Sequence, residues 1–166
     1  MKHETEKTLD EIIMRGNECK YSLLGRLAGD CEYYINQSRS TKYLWAKSIA
    51  DQIECMKKLY NSFTDDEKPT WINLDAIDNY ESDMHRTSEL EYAALNIYDL
   101  CTSYNPSYFY EYYGTFIYGK DYAVTQIIKD IKTDPAAVTK KLREMQKGIS
   151  PDAPFYQDIE TTISMY

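Results

Sequence analysis

Trp45, Ile49, Ile53, Met56, Tyr60 and Phe63 recur at steps of 4, 4, 3, 4 and 3. A strand, with its period of two, cannot put such a series on one face, whereas an α-helix does. Asp51, Glu54, Lys57 and Lys58 fill the opposite side. Upstream, Leu23, Leu24, Leu27, Cys31, Tyr34 and Ile35 give residues 21–35 the same pattern, and NQSRSTK (36–42) between them holds no apolar residue. Two amphipathic helices with so short a connection are expected to pack as an antiparallel hairpin. Gly25 and Gly29, four apart on the first helix, predict the close approach of another helix.

The remaining chain reads mostly as helix. Residues 1–20 form a polar arm or a short helix. TDDEKP breaks the pattern after Phe63, and Asn73 is placed to cap a helix carrying Leu74, Ile77 and Tyr80. Ser88 and Glu91 have capping-box spacing ahead of Leu90, Ala94, Ile97, Tyr98 and Cys101, so a new helix is expected to begin there. Val124, Ile127, Ile128 and Ile131 mark another helix. Asp134 followed by Pro135 starts a further one, carrying Val138, Leu142 and Met145 and stopped by Gly148. Residues 107–118 (SYFYEYYGTFIY) fit a helix through Tyr108, Tyr112 and Phe116, or a short β-hairpin through their aromatic propensity. The tail 151–166, with Pro151 and Pro154, reads as irregular. The expected fold class is all-α: a bundle of six or seven helices built on an N-terminal helical hairpin. It is expected to be one helical domain over 21–150, with hairpin 21–63, acidic segment 64–99 and aromatic-rich part 100–150.

A chain of 166 residues can bury a core without disulfides or metals. Its formal charge is −8, and the imbalance is local. Residues 1–63 hold ten basic and nine acidic residues, and residues 100–166 seven and eight. Residues 64–99 hold two basic residues and ten acidic ones: Asp65, Asp66, Glu67, Asp75, Asp78, Glu81, Asp83, Glu89, Glu91 and Asp99. Such a segment is either a solvated face or a surface that steers onto a basic partner. It argues against direct nucleic-acid binding, which needs a basic footprint.

Nine aromatics fall within residues 104–122, among them Tyr108, Tyr110, Tyr112, Tyr113 and Tyr118. One helix face cannot bury them all. They form either an aromatic core seam or a set of interface anchors. Only Lys120 accompanies them, so protein contact is favoured over base stacking.

Nothing selects a catalytic centre or a cofactor. There is no phosphate loop, no dinucleotide fingerprint and no nucleophile elbow. His85, four residues after Glu81, reads as an exposed ion pair rather than a metal ligand. Cys31, Cys55 and Cys101 lie on apolar stripes and read as buried thiols of a reducing cytoplasm, with a disulfide or a reactive thiol as the alternative. The start, MKHETEKTLDEIIM, lacks the apolar core of a secretory leader, and no run approaches the ~20 residues of a membrane span.

The hairpin residues also carry a resemblance. LLGRLAGDCEYYI (23–35), Leu44 with Trp45, IADQIECMKKLYNSF (49–63) and KPTWINLDAI (68–77) resemble the large polyvalent protein-associated domain family numbered eleven. Arg26, Leu27, Asp30, Cys31, Tyr33, Ile53, Met56, Lys57, Leu59, Tyr60, Asn61, Pro69 and Trp71 fall on the matching positions, over residues 21–80. The loop after Tyr34 departs from the family's Gly and Asn. The resemblance implies a home in phages and conjugative elements, within large proteins that help an incoming element evade host defences. It implies no catalytic residue. On packing grounds Trp45, Met56 and Tyr60 are expected in the hairpin core. Arg26 is expected to pair with Asp30, and Pro69 and Trp71 to fold the next loop back onto the hairpin.

The combined expectation is a non-enzymatic accessory protein acting in the bacterial cytoplasm without cofactor or metal. It would bind and inhibit a basic host defence protein, such as a CRISPR nuclease or restriction enzyme. The contact residues would be Asp65, Asp66, Glu67, Asp75, Asp78, Glu81 and Asp83, with Tyr108, Tyr110, Tyr112, Tyr113 and Tyr118. The alternatives are an interaction module without inhibitory activity, as a homodimer through the tyrosines, and an enzyme with a carboxylate site assembled in space.

Overall fold

A computed structural model describes the backbone of residues 2–104 and 115–166 and the side chains of 4–104 and 119–166. Among the described residues the chain forms seven α-helices and no strand. They are α1 (Lys2–Met14), α2 (Asn17–Tyr33), α3 (Ile49–Asn61), α4 (Leu74–Tyr104), α5 (Thr115–Thr133), α6 (Pro135–Gln146) and α7 (Pro154–Ile163). The fold is all-α, as the spacing of the apolar residues requires. It divides into two units, Met1–Arg86 and Thr87–Tyr166.

The first unit is the hairpin with α1 packed on both of its helices. Leu24, Leu27, Cys31, Met56 and Leu59 are fully enclosed, and Leu9 of α1 closes the core from the side. Enclosing each such leucine is worth about 2 kcal/mol. The helices run antiparallel: the start of α2 meets the end of α3, where Tyr21 lies on Phe63 with ring centroids 4.7 Å apart. The end of α2 meets the segment entering α3, where the Trp45 amide donates to the Asp30 carboxylate at 3.1 Å. Gln52 is the polar bolt of this core. It is fully buried, its side-chain oxygen accepts from the Ala46 amide at 3.0 Å, and its nitrogen donates to the Leu27 carbonyl at 3.2 Å. Ser48 caps α3 by accepting from the Asp51 amide.

The second unit gathers Leu90, Ile97 and Cys101 of α4, Val124, Ile127 and Ile131 of α5, Val138 and Leu142 of α6, and Phe155 and Ile159 of α7. Asp134 accepts from the Ala137 amide at 3.0 Å and Pro135 follows it, so α6 starts as the sequence indicates. Thr115–Thr133 is broken at Gly119, whose φ of 77° and ψ of 178° are non-helical and open to glycine. Gly148, at φ 83°, ends the turn after α6.

Several expectations are corrected. No helix begins at Ser88: α4 runs unbroken from Leu74 to Tyr104. Residues 81–88 contain no Gly or Pro, and a Ser with Glu three later is compatible with a helix interior when nothing breaks the turn before it. The tail is not irregular, because Pro154 occupies the first turn of α7, where its missing N–H costs nothing, and Phe155 and Ile159 are buried. Gly25 and Gly29 are exposed, with nothing within 4 Å of where a Cβ would stand. Asp30 is taken by the Trp45 amide, and Arg26 has no carboxylate partner among the described residues. Pro69 and Ile72 fold the loop back, but Trp71 does not: it is 54% exposed. The choice between helix and hairpin for 107–118 lies, for 107–114, outside the described residues.

Candidate functional site

The first unit's acidic segment begins where α3 ends. A single 3-10 turn, Asp65–Glu67, projects three carboxylates in succession. Lys68 holds Asp65 at 2.7 Å, and that contact keeps the Asp65 carboxyl below its usual range. The Thr64 hydroxyl donates to Glu67 at 2.7 Å and, with Asn17, lowers its carboxyl too. The Glu67 carbonyl accepts from the Tyr21 hydroxyl, which ties the turn to α2. Asp66 between them is exposed.

Pro69 is buried, Trp71 projects, and Ile72 is buried again. The indole therefore stands on backbone anchored on both sides. Asn73 then caps α4, accepting from the Ala76 amide at 2.8 Å. Asp75, Asp78 and Glu81 follow at steps of three and share one ridge of that helix. Lys57 of α3 meets the row at 2.7 Å from Asp78 and 3.5 Å from Glu81, and the Asp78 contact raises the Lys57 ammonium above its ordinary value. Asp83 is exposed and stands off this row, five residues beyond Asp78. His85 is exposed, and Glu81 faces Lys57.

Asp65, Asp66, Glu67, Asp75, Asp78, Glu81 and Asp83 thus all belong to the first unit. Lys68 and Lys57 offset part of their charge. Lys57's role cannot be read along the chain, because it comes from another helix. Trp71 was missed as an exposed residue; its neighbours Pro69 and Ile72 carry the burial that apolar character suggested for it. Tyr108, Tyr110, Tyr112 and Tyr113 lie outside the described residues, as does the side chain of Tyr118. Among the described residues no three His, Cys, Asp or Glu side chains converge as metal ligands would. No helix among them is long and apolar enough to cross a membrane.

The fold defines an all-helical protein whose N-terminal unit is a hairpin followed by an acidic segment. Residues 17–84 match the family model of large polyvalent protein-associated domain 11, a domain of the polyvalent proteins of phages and mobile elements. The match contains the whole hairpin and all seven carboxylates above, and it lies inside the first unit. No curated protein and no solved structure matches the chain.

Proposed function

We propose that this chain is a non-enzymatic accessory protein of a phage or plasmid that acts in the host cytoplasm, where it binds and inhibits a DNA-binding defence protein such as a CRISPR nuclease or restriction enzyme. The observation that carries the reading is the pairing of seven carboxylates over residues 65–83 with an indole, Trp71, that is 54% exposed on anchored backbone. A nuclease presents a basic groove to its substrate. A row of carboxylates answers that groove, and a central aromatic supplies the apolar contact that most binding energy needs. The family match supports the setting, a mobile element, and leaves the target to chemistry.

The test is a cleavage assay with nucleases from a matched host, with and without the chain, at rising salt. Inhibition is expected, weakening as salt screens the contact, and weakening again when Asp65, Asp66 and Glu67 are reversed to lysine. Capture experiments that stay empty across such nucleases overturn the reading.

A further inference from the structure

The second unit carries a groove of about 390 Å³ between the C-terminal half of α4 and α7. Tyr92, Asn96, Asp99 and Tyr104 line one side, and Asp158 and Met165 the other. None of the described residues lining it is basic. The Tyr104 ring lies stacked on Phe155, with centroids 3.6 Å apart and planes 26° from parallel. Phe155 is buried while Tyr104 is 57% exposed, so one aromatic face is fixed from beneath and open above. Tyr92 adds a second exposed ring.

Two polar groups of the groove are underused. The Asn96 amide donates to the Met165 thioether at 3.5 Å, a weak acceptor. The Asp158 carboxylate has no partner among the described residues; the nearby Thr162 hydroxyl goes to the Asp158 backbone carbonyl instead. The unit also shows how it treats a cation. Lys120 places its ammonium 3.1 Å from Asp99 and 4.9 Å from the centroid of the Tyr98 ring, between a carboxylate and an aromatic face.

We infer that this groove receives an arginine side chain of a basic protein, its guanidinium stacked on Tyr104 and its N–H groups donating to Asp158. Arginine suits the groove better than lysine because a planar cation covers a planar ring while its fork reaches a carboxylate. The inference adds a second contact to the proposed function, on residues separate from the acidic segment at 65–83.

The test uses the full chain and the probe acetyl-Gly-Ser-Arg-Ser-Gly-amide, with a lysine and a citrulline counterpart, followed by amide NMR shifts. Saturable shifts are expected at 92–104 and 158–165 with the arginine peptide, smaller ones with lysine and none with citrulline. Asp158→Asn, at an exposed position, is expected to fold normally and to weaken binding about tenfold. Glu144→Gln, exposed on α6 and away from the groove lining, is expected to leave it unchanged. Equal shifts from citrulline, no saturation, or an Asp158→Asn chain that binds as before each overturn the inference. A chain that binds the peptide but inhibits no nuclease keeps this groove and sinks only the defence reading.

Discussion

The Lys20 ammonium donates to the Ser62 carbonyl at 3.0 Å and lies 4.2 Å from the centroid of the Phe63 ring. Lys20 is only 6% exposed, so a cation is enclosed at the C-terminal end of α3, where the last carbonyls carry partial negative charge. Lys20→Met keeps the apolar stem and removes the charge. It is expected to cost about 1–2 kcal/mol of stability, read from urea unfolding.

Gln52 makes the more expensive deletion. Gln52→Ala strands the Ala46 amide and leaves a gap between α2 and α3, and is expected to cost about 3 kcal/mol. Gln52→Glu keeps the shape but offers no protonated nitrogen to the Leu27 carbonyl, so it is expected to unfold at lower urea as pH rises above the carboxylate range. Equal midpoints for Gln52→Glu at pH 4 and pH 8 would contradict the bolt.

Tyr80 donates its hydroxyl to Glu32 at 2.8 Å, and burial followed by that carboxylate pushes the hydroxyl up to about 12. The folded value stands above the unfolded one of about 10, so the neutral tyrosine's contribution is complete below about pH 10 and is lost as pH rises toward 12. Subtracting a Tyr80→Phe titration at 295 nm from that of the parent is expected to reveal one late-ionising phenol. Glu32→Gln is expected to bring it earlier.

Burial pushes the thiols of Cys31 and Cys101 up to about 12 and that of Cys55 up to about 11. Cys31 also contacts the Met56 sulfur at 3.8 Å. Only Cys19 is half-buried rather than buried. A disulfide reagent at neutral pH is therefore expected to label one thiol quickly and the other three only on unfolding, and Cys19→Ser is expected to abolish the fast phase.

The hairpin was legible because its apolar residues keep step over several turns, and a period is a local property. Asn73, Asp134 and Pro135 were legible for the same reason: a cap is a contact between near neighbours. What escaped depends on distant partners. Ser88 satisfies a start signal, but α4 passes through it because no residue before it breaks the helix. Pro154 reads as a breaker until Phe155 and Ile159 find a core to enter. The carboxylates were visible one by one, but Lys57 meets two of them from a different helix, so the net charge of the face could not be counted along the chain. Trp71 looked like core by type, and only the burial of Pro69 and Ile72 beside it shows why it is not.

Trp71 also provides a probe. The chain has two tryptophans, and Trp45 is the more enclosed. Acrylamide is expected to quench the Trp71 emission strongly, and Trp71→Phe is expected to leave a weakly quenched spectrum. The same substitution is expected to shift stability by less than about 1 kcal/mol, because little is packed around the ring.

In the proposed complex the anchored indole separates arrival from departure. Its backbone is held by Pro69 and Ile72, so whatever covers it meets a surface ordered in advance and loses little entropy in fixing it. The carboxylates of residues 65–83 act at a distance and are screened by salt; the ring acts only on contact and is not. On the proposed function, raising the salt is therefore expected to slow the capture of a partner, and replacing the indole to shorten the life of the complex.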